Sequence, residues 1–177
     1  MEYLLKKGNS VTIRKPLVKD AKDIILLIKK ADSETRFLAR EPDEFNPTIE
    51  KEKEIISSTL ASEDKTWFVA EYEEKVVGQC SVSMIHRYYR YGHRAEVAFV
   101  IVEKYCNHGI GGKMMEECLT WCRDHNIEQL ELDVVTTNIR AFNMYKGFGF
   151  EIVGTIPNAL RYKDGTFADE YRMIKQI

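Results

Sequence analysis

Residues 95–113 read AEVAFVIVEKYCNHGIGGK, from Ala95 to Lys113, and the rest of the chain reads as support for them. The first half, Ala95–Val102, is a continuous β-branched and aromatic run, the pattern of a strand buried on both faces. The second half places Gly109, Gly111 and Gly112 in a turn just ahead of an amphipathic helix. A strand that feeds a glycine-rich turn into a helix N-terminus makes an anion site. The first helical amides have no carbonyl partners, the helix dipole favours negative charge, and glycines let a phosphate approach the backbone.

Two common phosphate motifs are excluded. A P-loop needs Ser or Thr after Gly112-Lys113, where Met114 stands, and a glycine where Asn107 stands. The dinucleotide pattern G-x-G-x-x-G fails because Met114 occupies the third glycine position. Cys106-Asn107-His108-Gly109-Ile110-Gly111 instead resembles the acyl-CoA pyrophosphate loop of the GCN5-related N-acetyltransferase (GNAT) superfamily, written Gln/Arg-x-x-Gly-x-Gly/Ala. Only Cys106 departs from it, at a position that contributes largely through its backbone amide. Downstream, Asn138-Ile139-Arg140-Ala141-Phe142-Asn143-Met144-Tyr145-Lys146-Gly147-Phe148 resembles the superfamily's second signature, N-x-x-A-x-x-x-Y followed by G-F. It falls after a further strand, as the family order demands. The resemblance spans about Val11 to Ile174, with its specific motifs between Glu96 and Phe150.

The remaining elements follow from periodicity. Val11–Lys15 alternates as a strand ended by Pro16. A helix capped by Asp20 runs to Ala31 with Ile24, Ile25, Leu27 and Ile28 inward. Pro47-Thr48 opens a second helix, Ile49 to about Ser62, with Ile55, Ile56 and Leu60 inward. Trp67–Glu71 and Val76–Ile85 form an antiparallel hairpin across Glu73-Glu74-Lys75. His86–Arg94 is an aromatic and basic loop. Met114, Met115, Cys118, Leu119 and Cys122 give the next helix its core face. Leu130–Val135 is a short strand, Asn138–Phe148 a helix ended by Gly149. A hairpin of Glu151–Ile156 and Phe167–Ile174 closes the chain. This β-α-α-β-β-β-α-β-α-β-β order matches what the resemblance implies: an α/β (α+β) fold, one domain over residues 1–177. It is a mixed six- to seven-stranded sheet with helices on both faces.

Composition bounds the function. A hydrophobic content of 44% and a charged content of 31% are those of a soluble globular protein, and a net charge of −2 argues against a general nucleic-acid binder. No stretch approaches the ~18 apolar residues of a membrane span, and Met1–Ser10 is too short and polar for a signal peptide. Cys80, Cys106, Cys118 and Cys122 fall in strand, turn and helix patterns, as reduced thiols of a cytoplasmic protein would. Cys118, Cys122 and His125 share a helical face, but no paired CxxC or second histidine cluster completes a metal site. No metal is expected. A homodimer is left open.

The resemblance implies acetyl-CoA as co-substrate. Its contacts would be Val100, Ile101 and Val102 on the strand; Asn107, His108, Gly109, Ile110, Gly111, Gly112 and Lys113 in the loop and first helical turn; and Asn138, Ala141 and Tyr145 beyond. Asn138 also suits a helix N-cap on its chemistry alone. The resemblance further implies a splay between the Ala95–Val102 strand and the next one, admitting the pantetheine arm, and an oxyanion donor among the amides of Phe99–Val102. Acetyl transfer to an amine also needs a base and an acid. Glu96 shares a strand face with Ala98, Val100 and Val102 and is the only ionisable group there; partial burial would raise its pKa, which suits a base acting directly or through water. The alternative is a solvated Glu96 or one paired with Arg94. Tyr145 lies one helical turn beyond Ala141 and, by resemblance, near the thioester sulfur, where a neutral phenol would donate a proton to the departing thiolate. Cys106, near a helix N-terminus, leaves a covalent acetyl-enzyme route open.

The acceptor is the least legible part. Glu34, Glu41, Asp43 and Glu44 border the acceptor by resemblance and would attract a cationic amine, or are simply solvated. Arg87, Tyr88, Tyr89, Arg90 and Tyr91 form a loop that could close over substrate, hold an acidic acceptor, bind RNA, or stay exposed. The leading expectation is an acetyl-CoA-dependent N-acetyltransferase acting on a small-molecule amine such as an amino acid or polyamine. The others are a protein N-terminal or lysine acetyltransferase and a non-catalytic acyl-CoA-binding module.

Overall fold

Alternating and β-branched runs pair here into one open sheet. In the computed structural model, which describes residues 1–4 and 10–177, the strands are β1 (Glu2–Leu4), β2 (Ser10–Arg14), β3 (Lys65–Tyr72), β4 (Lys75–Met84), β5 (Arg94–Ile101), β6 (Gln129–Val135), β7 (Glu151–Arg161) and β8 (Phe167–Gln176). The helices are α1 (Ala21–Glu34), α2 (Ile49–Leu60), α3 (Ile110–Asp124) and α4 (Ile139–Gly147). Part of the polar N-terminal stretch, residues 5–9, lies outside the described residues. The sheet order is β1-β2-β3-β4-β5-β6-β8-β7. Every neighbouring pair is antiparallel except β5 and β6, which run parallel and are joined by the α3 crossover. The eight strands exceed the six or seven expected by β1, whose three residues pair with Ser10–Thr12 and are too few to carry a periodic signal.

The two sheet faces have separate cores. Against one lie Ile24, Leu27 and Ile28 of α1 and Ile56 of α2, packed on Val69 and Val76. Against the other, Met114, Met115, Cys118, Leu119 and Cys122 of α3 are all buried, as their spacing predicts, beside Cys80, Val82 and Val97. Tyr145 brings α4 into this second core.

Three local expectations change. Asp20 stands at the N-cap of α1, but its side chain makes no capping bond; it accepts from Leu17 N at 2.7 Å and from Arg14 at 2.6 and 3.1 Å. The strand expected to be buried on both faces, β5, leaves Glu96 and Ala98 exposed and Phe99–Ile101 half-buried, because its far half borders a cavity. In α2, Thr48 opens the helix as predicted and its side chain accepts from Lys51 N, but the inward face is rotated. Leu60 is 42% exposed, Ile55 is half-buried, and Glu52 and Thr59 take the buried positions around Ile56.

Glu52 is therefore a buried carboxyl whose Oε1 has no hydrogen-bond partner, and burial raises its pKa. A carboxyl whose folded pKa lies above its unfolded value weakens the fold as pH rises past that unfolded value. Glu52→Met keeps a straight side chain and removes the charge, so it is expected to stabilise the protein by about 1–2 kcal/mol at pH 7. Urea melts check this: the gain should shrink as pH falls towards ~4, where the wild-type carboxyl is protonated.

Candidate active site

The β5–β6 ladder has three rungs, Arg94↔Gln129, Ala95↔Leu130 and Glu96↔Glu131, and then stops, although β5 continues to Ile101 and β6 to Val135. The strands splay, as the resemblance implied. Beyond Glu96 the β6-facing edge of β5 has no strand partner, so backbone groups there are available to a ligand. A cavity of about 1350 Å³ occupies the gap. That exceeds the ~300–1,000 Å³ of ordinary small-molecule pockets and leaves room for a carrier and an acceptor together.

At one end lies the glycine loop. Asn107 and Gly109 both have positive φ, 62° and 92°, and Gly109 is the N-cap of α3. Nothing lies within 4 Å of where a Gly109 Cβ would project. Lys113 is the first α3 residue whose amide reaches a backbone carbonyl, that of Gly109 at 3.2 Å; among the described residues the amides of Ile110, Gly111 and Gly112 have no such partner. Gly111 serves packing instead: a Cβ there would stand 2.7 Å from Met144 Sδ, so the glycine lets α3 and α4 meet. Asn107, Gly109 and Gly112 line the cavity.

Not every expected residue reaches it. Ile110 is core; His108 donates from Nδ1 to the Cys106 carbonyl at 2.7 Å; Lys113 pairs with Glu116 at 2.9 Å; Val102 hydrogen-bonds Val77 through its amide. The cavity is lined by neither these four nor Gly111, though the helix-start amides of Ile110 and Gly111 remain free. Val100, Ile101, Asn138, Ala141 and Tyr145 do line it. Asn138 caps α4 through a bond from Ala141 N at 3.2 Å, which fixes that helix start against the cavity.

Tyr145 is 6% exposed, set between Phe99 and Phe150 with ring centroids 6.1 and 5.7 Å away. Burial, reinforced by the adjacent Cys118 and Cys80 thiols, pushes its pKa well above the ordinary phenol value. Its hydroxyl makes no hydrogen bond within the described chain. Glu96 lines the cavity too, but it is exposed to it, not partly buried as expected, because the splay removes its cover. Nor does it pair with Arg94, whose guanidinium holds the buried Glu131 at 2.5 and 3.0 Å.

The acidic stretch is mostly spent on structure. Glu41 accepts from Lys163 N at 3.0 Å, Asp43 holds Lys163 Nζ at 2.5 Å, and Glu44 accepts from Glu41 N, strapping the segment between α1 and α2 to the β7–β8 turn. Of the four, only Glu34 lines the large cavity, and it also accepts from Glu103 N at 2.8 Å. The aromatic loop folds on itself: His86 stacks on Tyr88, Arg87 pairs with Asp64, and Tyr89 is 99% exposed. Tyr88, Tyr89 and Tyr91 do not line the cavity. Cys118 and Cys122 are core residues and the His125 ring stacks on Trp121, so the three are not turned to one point. The cavity also draws on residues to which sequence reading assigned no individual role: Phe37, Leu38 and Ala39 after α1, Arg140 on α4, and Glu131, Asp133, Glu170 and Arg172 on β6 and β8. Arg140 stood within the quoted motif as a cation beside the loop; the others lacked any local signal.

The model of the Acetyltransferase (GNAT) domain matches residues 13–171, and the chain belongs to that family. The L-amino acid N-acetyltransferase AaaT of Escherichia coli K12 is 29% identical over 108 residues. That match spans 60% of this chain and 65% of the relative, just under two thirds of its length. A GNAT-family acetyltransferase from Streptococcus pneumoniae superposes with a TM-score of 0.88 at 27% identity, covering 94% of this chain and 99% of that one. The fold is also that of yncA from Salmonella typhimurium, solved with its cofactor acetyl-CoA, at a TM-score of 0.82 and 16% identity over 94% and 93% of the two chains.

Proposed function

We propose that this chain transfers an acetyl group from acetyl-CoA to a small-molecule primary amine by direct attack in a ternary complex. One observation carries the reading: a single cavity runs through the β5–β6 splay from the glycine loop, past Tyr145, to Glu96. The loop suits a pyrophosphate, since free helix-start amides face a position where Gly109 leaves open space, and Arg140 adds a half-exposed cation nearby. The carrier supplies the activated thioester carbonyl. Glu96 takes the proton that the attacking amine loses, directly or through a water, as the new C–N bond forms. Unpaired amides on β5 receive the developing oxyanion. Tyr145 gives its proton to the sulfur as the C–S bond breaks. The small-molecule acceptor is supported by the Escherichia coli relative, which is named for an L-amino acid acceptor. Free thiols at all four cysteines and no described helix long and apolar enough to cross a membrane are consistent with a cytoplasmic setting.

The test is a thermal melt with acetyl-CoA, with NADH and ATP as controls. Carrier at 100 times its Kd adds about 2.7 kcal/mol and should raise the midpoint by roughly 5–10 °C. Gly109→Val forces a β-branched residue to φ 92° and fills the open space, so it should abolish most of that shift. No shift in the wild type at millimolar acetyl-CoA overturns the carrier reading. With the shift in hand, an amine panel read by thiol release identifies the acceptor.

A further inference from the structure

The base proposed above is the one cavity carboxylate that ought to have been captured. Glu96 stands two residues after Arg94 on the same face of β5, about 7 Å along the strand, well within a guanidinium's reach. It also stands abreast of Glu131 in the last β5–β6 rung, with Arg172 on the neighbouring strand. Yet Glu96 makes no hydrogen bond or ion pair among the described residues. Both arginines are held elsewhere. Glu131, buried, takes Arg94 through two oxygens at 2.5 and 3.0 Å, accepts from Gln129 Nε2 at 2.8 Å, and lies 3.6 Å from Arg172. Asp133 takes Arg172 through two bonds at 2.6 and 2.7 Å.

We infer that Glu131, with Asp133, is a positioning residue that keeps Arg94 and Arg172 occupied and so leaves the Glu96 carboxylate free to act as a base. The inference rests on the reading of Glu96 as that base. The titratable groups sharing the cavity with Glu96 are Arg94 on its own strand, Glu131 and Asp133 from β6, Glu170 and Arg172 from β8, Glu34 from the end of α1, Glu103 and Cys106 after β5, and Arg140 and Tyr145 from α4. Of the three cations in this set Arg140 lies 3.8 Å from Glu103, so the state of Glu96 depends on where Arg94 and Arg172 are held. The field of Glu96 already reaches Arg172, whose pKa is raised first by the Asp133 hydrogen bond and further by the Glu131 and Glu96 charges. A guanidinium released from Glu131 would close on Glu96, stabilise its charged form, and occupy the lone pairs that must accept the amine proton.

The experiment is a side-chain carboxyl NMR titration of Glu96, assigned by loss of its signal in Glu96→Gln, together with the pH profile of kcat. In Glu131→Gln the Glu96 carboxyl should titrate about one pH unit lower than in the wild type. The acidic limb of kcat should move with it and kcat should fall roughly tenfold. KM for acetyl-CoA should stay within twofold. Asp133→Asn, at a half-exposed site where folding is less at risk, should move the titration in the same direction by freeing Arg172. Adding Arg94→Gln to Glu131→Gln should undo part of the Glu131→Gln displacement. A Glu96 titration unmoved in both single variants overturns the inference. Unchanged turnover in Glu96→Gln overturns the base reading separately, because the carboxyl titration does not depend on catalysis.

Discussion

Tyr145→Phe is expected to lower kcat by about 10²-fold while changing acetyl-CoA affinity less than about twofold, which is what losing a positioned proton donor costs. The substitution removes one oxygen and keeps the ring between Phe99 and Phe150, so the packing that places α4 against the cavity survives. The hydroxyl is free to meet a ligand because nothing in the described chain binds it. Burial pushes its pKa up, so the phenol stays protonated across the neutral and mildly alkaline range, and no alkaline fall in kcat below about pH 10 should trace to it. Thiol release gives kcat and calorimetry gives the carrier affinity. Equal turnover in the variant would remove Tyr145 from the mechanism, while a large loss of affinity with unchanged kcat would make it a binding residue only.

Arg94→Ala should give the largest loss of stability, about 3 kcal/mol at pH 7, or roughly 6–12 °C in Tm. Glu131 is buried, and with Arg94 gone it keeps only Gln129 and an Arg172 guanidinium 3.6 Å away. Burial by itself would raise the Glu131 pKa; the Arg94 and Gln129 hydrogen bonds outweigh it and hold the value below the usual carboxylate range. A carboxylate with a depressed folded pKa contributes stability that is present above its unfolded pKa and lost as pH falls through the folded one. In Arg94→Ala that contribution is gone, so its deficit should be largest at neutral pH and shrink below about pH 4.5 as wild-type Glu131 also takes up its proton. A deficit constant between pH 7 and pH 4 would show that the loss comes from packing and not from the stranded charge.

Local chemistry made the glycine-loop side of the cavity readable. Gly109 needs φ 92°, Asn138 needs to cap α4, and Met114, Met115, Cys118 and Cys122 need one face inward; each is a constraint among residues a few positions apart. The Glu96 side was not readable in this way. Whether Glu96 is bare or bridged depends on Glu131 and Arg172, which are brought beside it by a parallel ladder and a terminal hairpin. The acidic stretch looked like a cation lure because Lys163, its partner on the β7–β8 turn, lies more than a hundred residues away. In α2, spacing favoured Leu60 inward, but the packing against β3 turned Glu52 and Thr59 to the core at a cost that no local rule signals. The three-residue β1 exists only because β2 offers an edge.

The four cysteines have a practical corollary. Cys80, Cys118 and Cys122 are buried, and Cys80 and Cys118 meet at 3.4 Å in the core, whereas Cys106 is half-buried on the cavity wall, its Sγ turned to the Ile101 and Val102 carbonyls at 3.9 and 3.8 Å. The folded protein therefore offers a colorimetric thiol reagent one slow background site per chain, and that site lies beside the glycine loop. Its labelling rate is an occupancy gauge already present in the unmodified protein. A carrier seated on the loop should slow alkylation of Cys106, so saturation can be followed without an acceptor, a fluorophore or a mutation.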